Sequence, residues 1–191
     1  MTSFDQIRVT PATADDIDAV TDLWVELASS QRAYGSTLLA DGNRNAVRDS
    51  VARGVVTGEL FVARGVPDAG DDSRLSDENG TPHMRAEGDR SDYLDDATDP
   101  IGFVGFSLDH DGLERDETRG VVDNLFVAPA CRGEGVGSAL LSAAERALRE
   151  SGATAITLEA MAANDRARSF YREFGYESHR VVLRKRLGET D

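Results

Sequence analysis

The chain has 191 residues, 40% of them apolar, and a formal net charge of −14, a length that supports one good core rather than two domains. It has no basic stripe to neutralise phosphates, which argues against a nucleic-acid partner, and no apolar run nears the roughly 20 residues that span a bilayer. The single cysteine, Cys131, excludes an internal disulfide, and three scattered histidines give no zinc spacing, so no metal is expected.

Residues 7–9 read as a short first strand. Thr13 follows, suited to cap a helix, with Asp15 and Asp16 at the positive end of its dipole. Ile17, Val20, Trp24 and Leu27 then fall on one face of that helix, Trp24 as core packing. Gly35, Gly42 and Asn43 make residues 34–45 a loop that can overhang a substrate cleft, and residues 45–56 read as a second, weaker helix.

Residues 59–64 and 100–108 read as strands, with His110-Asp-Gly as a turn after the second. The composition changes between them: residues 66–100 hold eleven Asp or Glu against three Arg, with almost no apolar periodicity. We expect residues 66–99 to be an acidic, mobile insertion between two strands, and they contain no Asp-x-Asp-x-Asp-Gly loop for a metal.

Residues 117–128 read as a strand that stops at Pro129, which cannot donate to a continuing ladder. A glycine-rich turn follows, in which Gly133, Gly135 and Gly137 let the backbone bend and approach a ligand. Val136, Leu140, Leu141, Ala144, Ala147 and Leu148 then recur at helical spacing up to about Ser151, and Gly152 closes the helix. The unpaired N–H groups at that helix start, with Arg132 beside them, favour a phosphate or pyrophosphate. Cys131 reads as a small residue beside the turn rather than a reactive thiolate. Residues 155–161 alternate as a strand around Ile156, Leu158 and Ala160. Asn164 and Asp165 cap a short helix with the face Ala167, Phe170, Tyr171 and Phe174, Gly175 ends it, and residues 176–187 read as a terminal strand. The order β-α-α-β-β-β-α-β-α-β is α/β, antiparallel in its first half, with a crossover helix joining two parallel strands in its second.

Arg132-Gly-Glu-Gly135-Val-Gly137, placed between a strand and a helix, and downstream Asn164, Ala167 and Phe170-Tyr171-Arg-Glu-Phe-Gly175-Tyr176 resemble the two signatures of the GCN5-related N-acetyltransferases. The resemblance covers the whole chain in element order apart from the insertion. It implies a single acetyltransferase domain over residues 1–191. Its fold would be a mixed, mostly antiparallel central sheet with a parallel, splayed strand pair and flanking helices. Acetyl-CoA would be the cosubstrate, its arm entering the opening beside Leu125, Phe126 and Val127, with backbone groups of Phe126 and Val127 bonding the pantetheine amides. The N–H groups of Arg132, Gly133, Glu134, Gly135, Val136, Gly137 and Ser138 would hold the pyrophosphate, and Asn164 would contact the cofactor from the other side. Tyr171 matches the family's general acid. Asp123 is the candidate base, through a water, because an aspartate near pKa ~3.9 is otherwise a poor one. Glu159 is the second candidate, ahead of His110 and His179. The acceptor, a small-molecule or peptide amine, is not legible, and a homodimer through the terminal strands is implied by the resemblance.

Two rival readings remain in the residues. Gly133-Glu-Gly135-Val-Gly-Ser138 is close to a dinucleotide fingerprint, with Glu159 at a ribose-contact distance, but it departs at Ser138 and too little chain follows for a second half. A non-catalytic acyl-CoA sensor would share every binding feature, and the intact Tyr171 argues against it. Of the 21 basic residues only Lys185 is lysine; dense acid with so little lysine suits a salt-loving cytoplasm, where screening sustains a negative surface. The start, lacking a basic stretch and an apolar run, also points to the cytoplasm.

Overall fold

The computed structural model describes residues 4–67, 99–109 and 116–185. The expected acidic insertion, but for its ends, and the turn at His110 lie outside the described residues. In chain order the elements are β1 (Phe4–Pro11), α1 (Ile17–Gln31), α2 (Arg44–Thr57), β2 (Leu60–Pro67), β3 (Gly102–Leu108), β4 (Arg119–Val127), α3 (Val136–Glu150), β5 (Ala155–Leu158) and α4 (Asp165–Glu173). The strands form one sheet in the order β1-β2-β3-β4-β5. All neighbours are antiparallel except β4 and β5, which the α3 crossover makes parallel. This is the mixed sheet with flanking helices that the sequence implies.

Entry into α1 is fixed by local chemistry. Thr13 donates both its backbone N–H and its hydroxyl to Asp16 Oδ2, at 2.8 and 3.0 Å. Asp16 is buried at 3% exposure and also pairs with Arg64 on β2, so the start of α1 is pinned to the sheet. Val20 and Leu27 then point inward with Trp24 packed against them, and α2 adds Val47 and Val51. This layer covers the face of the sheet that carries Leu60, Val62, Phe103 and Phe126. The opposite face, with Ala63, Val104, Phe106 and Val122, packs against Val136, Leu140, Leu141, Ala144 and Leu148 of α3. The helix lies close because β4 carries Gly120 beneath it: a Cβ there would come within 2.9 Å of Leu148.

Val122 and Phe126 expose one interruption in the sheet. Four residues apart, they belong on the same face of a regular strand, yet Val122 packs toward α3 and Phe126 toward α1. A bulge accounts for the flip: Phe106 of β3 pairs with Val122 and Gly105 with Asn124, so Asp123 is the extra residue.

Over its described residues the expected terminal strand is not formed. Residues 176–185 carry no strand, and Val181, Val182 and Leu183 are 81%, 85% and 90% exposed. β5, at the edge of the sheet, stops at Leu158 rather than continuing to Met161, and Arg180, Arg184 and Lys185 put like charges along the segment. Its described tether is Arg184, whose guanidinium donates to the Gly35 carbonyl at 3.3 Å. Among the described residues no helix is long and apolar enough to cross a membrane.

Candidate active site

The bulge positions the site. β4 and β5 pair only from Arg119↔Ala155 to Val122↔Leu158. From Asp123 onward β4 has no strand partner on this side, since β5 ends at Leu158 while β4 runs on past the extra residue to Val127, and this unpaired edge is the candidate opening between the two strands. Alternation decides which backbone groups face that opening. Ala128 donates its N–H to Ile101 O at 2.9 Å, so Ala128 and every second residue before it turn toward β3. Leu125 and Val127 therefore present their backbone groups to the opening. Phe126 does not: its ring is buried in the α1 layer and its peptide groups serve β3, which corrects the expectation that Phe126 bonds the ligand arm.

The glycine turn lies at the open end. Gly133 and Gly135 adopt φ of +90° and +82°, a left-handed region that costs any other residue about 1–2 kcal/mol. Gly137 has no such need; it belongs to α3, and a Cβ there would meet Phe170 at 3.6 Å and Val127 at 3.7 Å. The first intrahelical bond of α3 runs from Ala139 N–H to Gly135 O at 3.0 Å, leaving the N–H groups of Val136, Gly137 and Ser138 without an acceptor in the helix. Arg132 is turned back: its Nε–H donates to Val127 O at 2.9 Å, and its guanidinium carbon stands 5.3 Å from the centre of the Phe126 ring. Cys131 is buried. Burial and then the charge of Glu134 push its thiol up, so it stays protonated, as a small packing residue would.

α4 forms the other wall. Asn164 caps it, its Oδ1 accepting from Ala167 N–H at 3.1 Å, which leaves the amide nitrogen of Asn164 for other partners. Phe170, Tyr171, Phe174 and Tyr176 stack edge to face or tilted at 5.1–5.8 Å and pack on the α3 side of the core with Leu125, Val127 and Leu158. Burial pushes the Tyr171 hydroxyl above its ordinary value. Tyr176 is pushed up further, by burial, by its 2.9 Å bond to Glu145 Oε1, by the charge of that carboxylate and by Tyr171. Both phenols stay protonated at neutral pH. Tyr176 is committed to Glu145, whereas the Tyr171 hydroxyl bonds to none of the described residues and is the available donor.

Asp123, thrown out by the bulge, is open to solvent on one side, yet its surroundings raise its pKa. Burial of the carboxyl against the strands is the main cause. The Ser107 hydroxyl, donating to Oδ2 at 3.3 Å, pulls it down, and the charge of Glu59 pushes it up. Glu59 in turn accepts from the Thr57 hydroxyl at 2.6 Å. Sequence reasoning missed Ser107 and Glu59, because they stand on β3 and just before β2 and meet Asp123 only through the register. Glu159 lies exposed past the end of β5, and His179 is exposed in the unpaired segment. Among the described residues no cluster of three His, Cys, Asp or Glu could hold a metal. A separate open hollow of about 420 Å³, lined by Thr13, Asp15, Asp16, Ala19, Arg64, Asp99 and Pro100, shares no residue with the glycine turn or α4.

Residues 63–176 match the acetyltransferase (GNAT) family. An uncharacterised N-acetyltransferase of Bacillus subtilis, YhfO, is 42% identical over 57 residues. That stretch is 30% of this chain and only 38% of the relative's length. Among solved structures, a GCN5-related N-acetyltransferase from Ralstonia eutropha superposes with a TM-score of 0.60 at 19% identity, over 96% of this chain and 100% of the other. The aminoglycoside N-acetyltransferase AAC(6')-Iy in complex with CoA gives 0.58 at 14% identity, over 95% of each chain.

Proposed function

The chain belongs to the acetyltransferase (GNAT) family, and from that membership we propose that it moves an acetyl group from acetyl-CoA to a primary amine, by direct attack within one ternary complex. The observation that carries this reading is the parting of β4 from β5 at Val122, with the glycine turn at its open end. Leu125 and Val127 offer backbone groups suited to the amides of a pantetheine arm. Val136, Gly137 and Ser138 offer N–H groups at a helix start, suited to a pyrophosphate. Glu134 lines this cradle through its backbone, and Asn164 can reach the arm with its free amide nitrogen. The mostly antiparallel sheet argues against the dinucleotide alternative, which needs a doubly wound parallel one.

Acetyl-CoA supplies a thioester carbonyl that an amine can attack. The C–N bond forms as the C–S bond breaks, so one proton must leave the amine and one must reach the departing sulfur. Asp123, with its pKa raised, is the base we assign, taking the ammonium proton through a water. Tyr171, protonated and without a hydrogen-bond partner among the described residues, is the acid for the thiolate. The acceptor is a small-molecule or peptide amine, chosen by residues 34–45 and by those around His179. We propose further that the chain works as a homodimer, using the exposed Val181, Val182 and Leu183, and in a salt-rich cytoplasm, on the strength of its charge and its single lysine.

The test is release of free CoA thiol from acetyl-CoA in the presence of a panel of primary amines at high salt. Release that depends on one acceptor class supports the reading. Tight acetyl-CoA binding with no release for any amine would favour a sensor instead.

A further inference from the structure

The Arg132 side chain does not follow the turn that it opens. Its Nε–H is spent on the Val127 carbonyl and its guanidinium lies over the buried Phe126 ring. The peptide joining Val127 to Ala128 is thereby held from both sides, its carbonyl by Arg132 and its N–H by Ile101 O, each at 2.9 Å. A planar peptide bonded on both flanks cannot swing without breaking one of the two bonds. The N–H of Val127 belongs to the preceding peptide, whose Phe126 carbonyl faces β3 in the register; with the peptides on both sides of Val127 held, its N–H, which alternation turns into the opening, keeps one direction. β5 cannot supply this rigidity, since its pairing with β4 ends at Val122.

We propose that Arg132 is a positioning residue for the acyl-CoA arm rather than a phosphate ligand, bracing the end of β4 so that Val127 presents a fixed N–H to the arm. This rests on the acyl-CoA reading above. The guanidinium is held at Nε by a carbonyl and on one face by a ring, so its placement is set by the end of β4, and its Nη groups remain as donors, which is why the test separates the arm from the phosphate. The same geometry says which substitutes work. In Arg132→Gln the amide nitrogen stands at the same place along the side chain as Nε, so the donor is kept and the charge is lost. Arg132→Lys keeps the charge and puts a methylene where the donor was.

Binding is measured for acetyl-CoA, for acetyl-pantetheine, which has the arm without phosphate, and for adenosine 3′,5′-bisphosphate, which has phosphate without the arm. Arg132→Ala and Arg132→Lys should weaken acetyl-pantetheine about tenfold, the effect of one lost hydrogen bond, and leave the bisphosphate within about twofold. Arg132→Gln should stay near native on both. The reverse pattern, bisphosphate binding lost in Ala and Gln but kept in Lys with acetyl-pantetheine unchanged, overturns the proposal. Amide exchange at Ala128, read without ligand, should quicken in the Ala and Lys variants but not in Gln; unchanged exchange in Ala also overturns it. A native chain that binds no acetyl-CoA sinks the acyl-CoA reading before any variant is made, and this role for Arg132 with it.

Discussion

At the scale of single residues, the two walls of the opening carry groups of opposite duty. Tyr171 is held protonated by burial and its hydroxyl bonds to none of the described residues, so Tyr171→Phe should lower kcat about a hundredfold, the lower range for a lost general acid, and leave acetyl-CoA affinity nearly unchanged. Undiminished turnover would take Tyr171 out of the mechanism. Asp123 has to be ionised to act, so activity should fall on the acid side with a midpoint above that of an ordinary aspartate. Glu59→Gln removes a charge that raises this pKa and should shift the limb to lower pH; Ser107→Ala removes a hydrogen bond that lowers it and should shift the limb higher. A pH–rate profile that ignores both changes excludes Asp123 as the base. The sign for stability is opposite to that for activity. A carboxyl whose folded pKa is raised weakens the fold as pH climbs through that pKa. Asp123→Asn should therefore melt no lower than the native chain at neutral pH, and the difference should fade once both states are protonated. Tyr171 and Asn164 were legible in the sequence because one short helix and its cap present them at fixed spacing. Ser107 and Glu59 were not, because no local pattern announces a neighbour one or two strands away.

At the scale of elements, the site is a consequence of one extra residue and two left-handed ones. Gly135→Ala should cost about 1–2 kcal/mol, the penalty of a left-handed alanine, and should weaken acetyl-CoA binding in the same experiment, because the start of α3 would have to shift. Gly120→Ala tests the packing instead. Its Cβ would strike Leu148 at 2.9 Å, so stability should fall by about 1–3 kcal/mol as α3 is pushed off the sheet. Thermal unfolding with and without acetyl-CoA separates the two: ligand should recover less of the loss in Gly135→Ala. The glycine turn and α3 were readable from their punctuation and helical period. The bulge was not read, although the polar pair Asp123-Asn124 interrupts an otherwise apolar strand. Its proof lay in Val122 and Phe126 facing opposite sides, which only packing reveals. The terminal segment failed for the converse reason: Val181 to Leu183 have strand-forming side chains, but a strand also needs an edge, and β5 offers four residues.

At the scale of the molecule, a net charge of −14 sets the response to salt. Screening acts within about 10 Å at 0.1 M and more tightly above that, relieving repulsion among the surface carboxylates. It also weakens the exposed pairs Arg44–Asp22 and Arg48–Asp18 between α1 and α2, but such pairs contribute only about 0–1 kcal/mol each. The repulsion should win, and the melting temperature should rise steadily with potassium chloride. A chain that is fully stable in dilute buffer would count against adaptation to salt.

The sheet also acts as a partition. The α1 and α2 layer has its own apolar cluster, to which the later half of the chain lends only Phe103 and Phe126 among the described residues, while α3 and α4 belong to the cluster behind the sheet. Substitutions in the helices on one side should leave the backbone of the other undisturbed as long as those two rings stay in place, since Arg132 lies over one of them. Selection for a new acceptor can therefore explore the α1–α2 segment freely, as an exchangeable cassette, while the half that handles the donor is inherited unchanged.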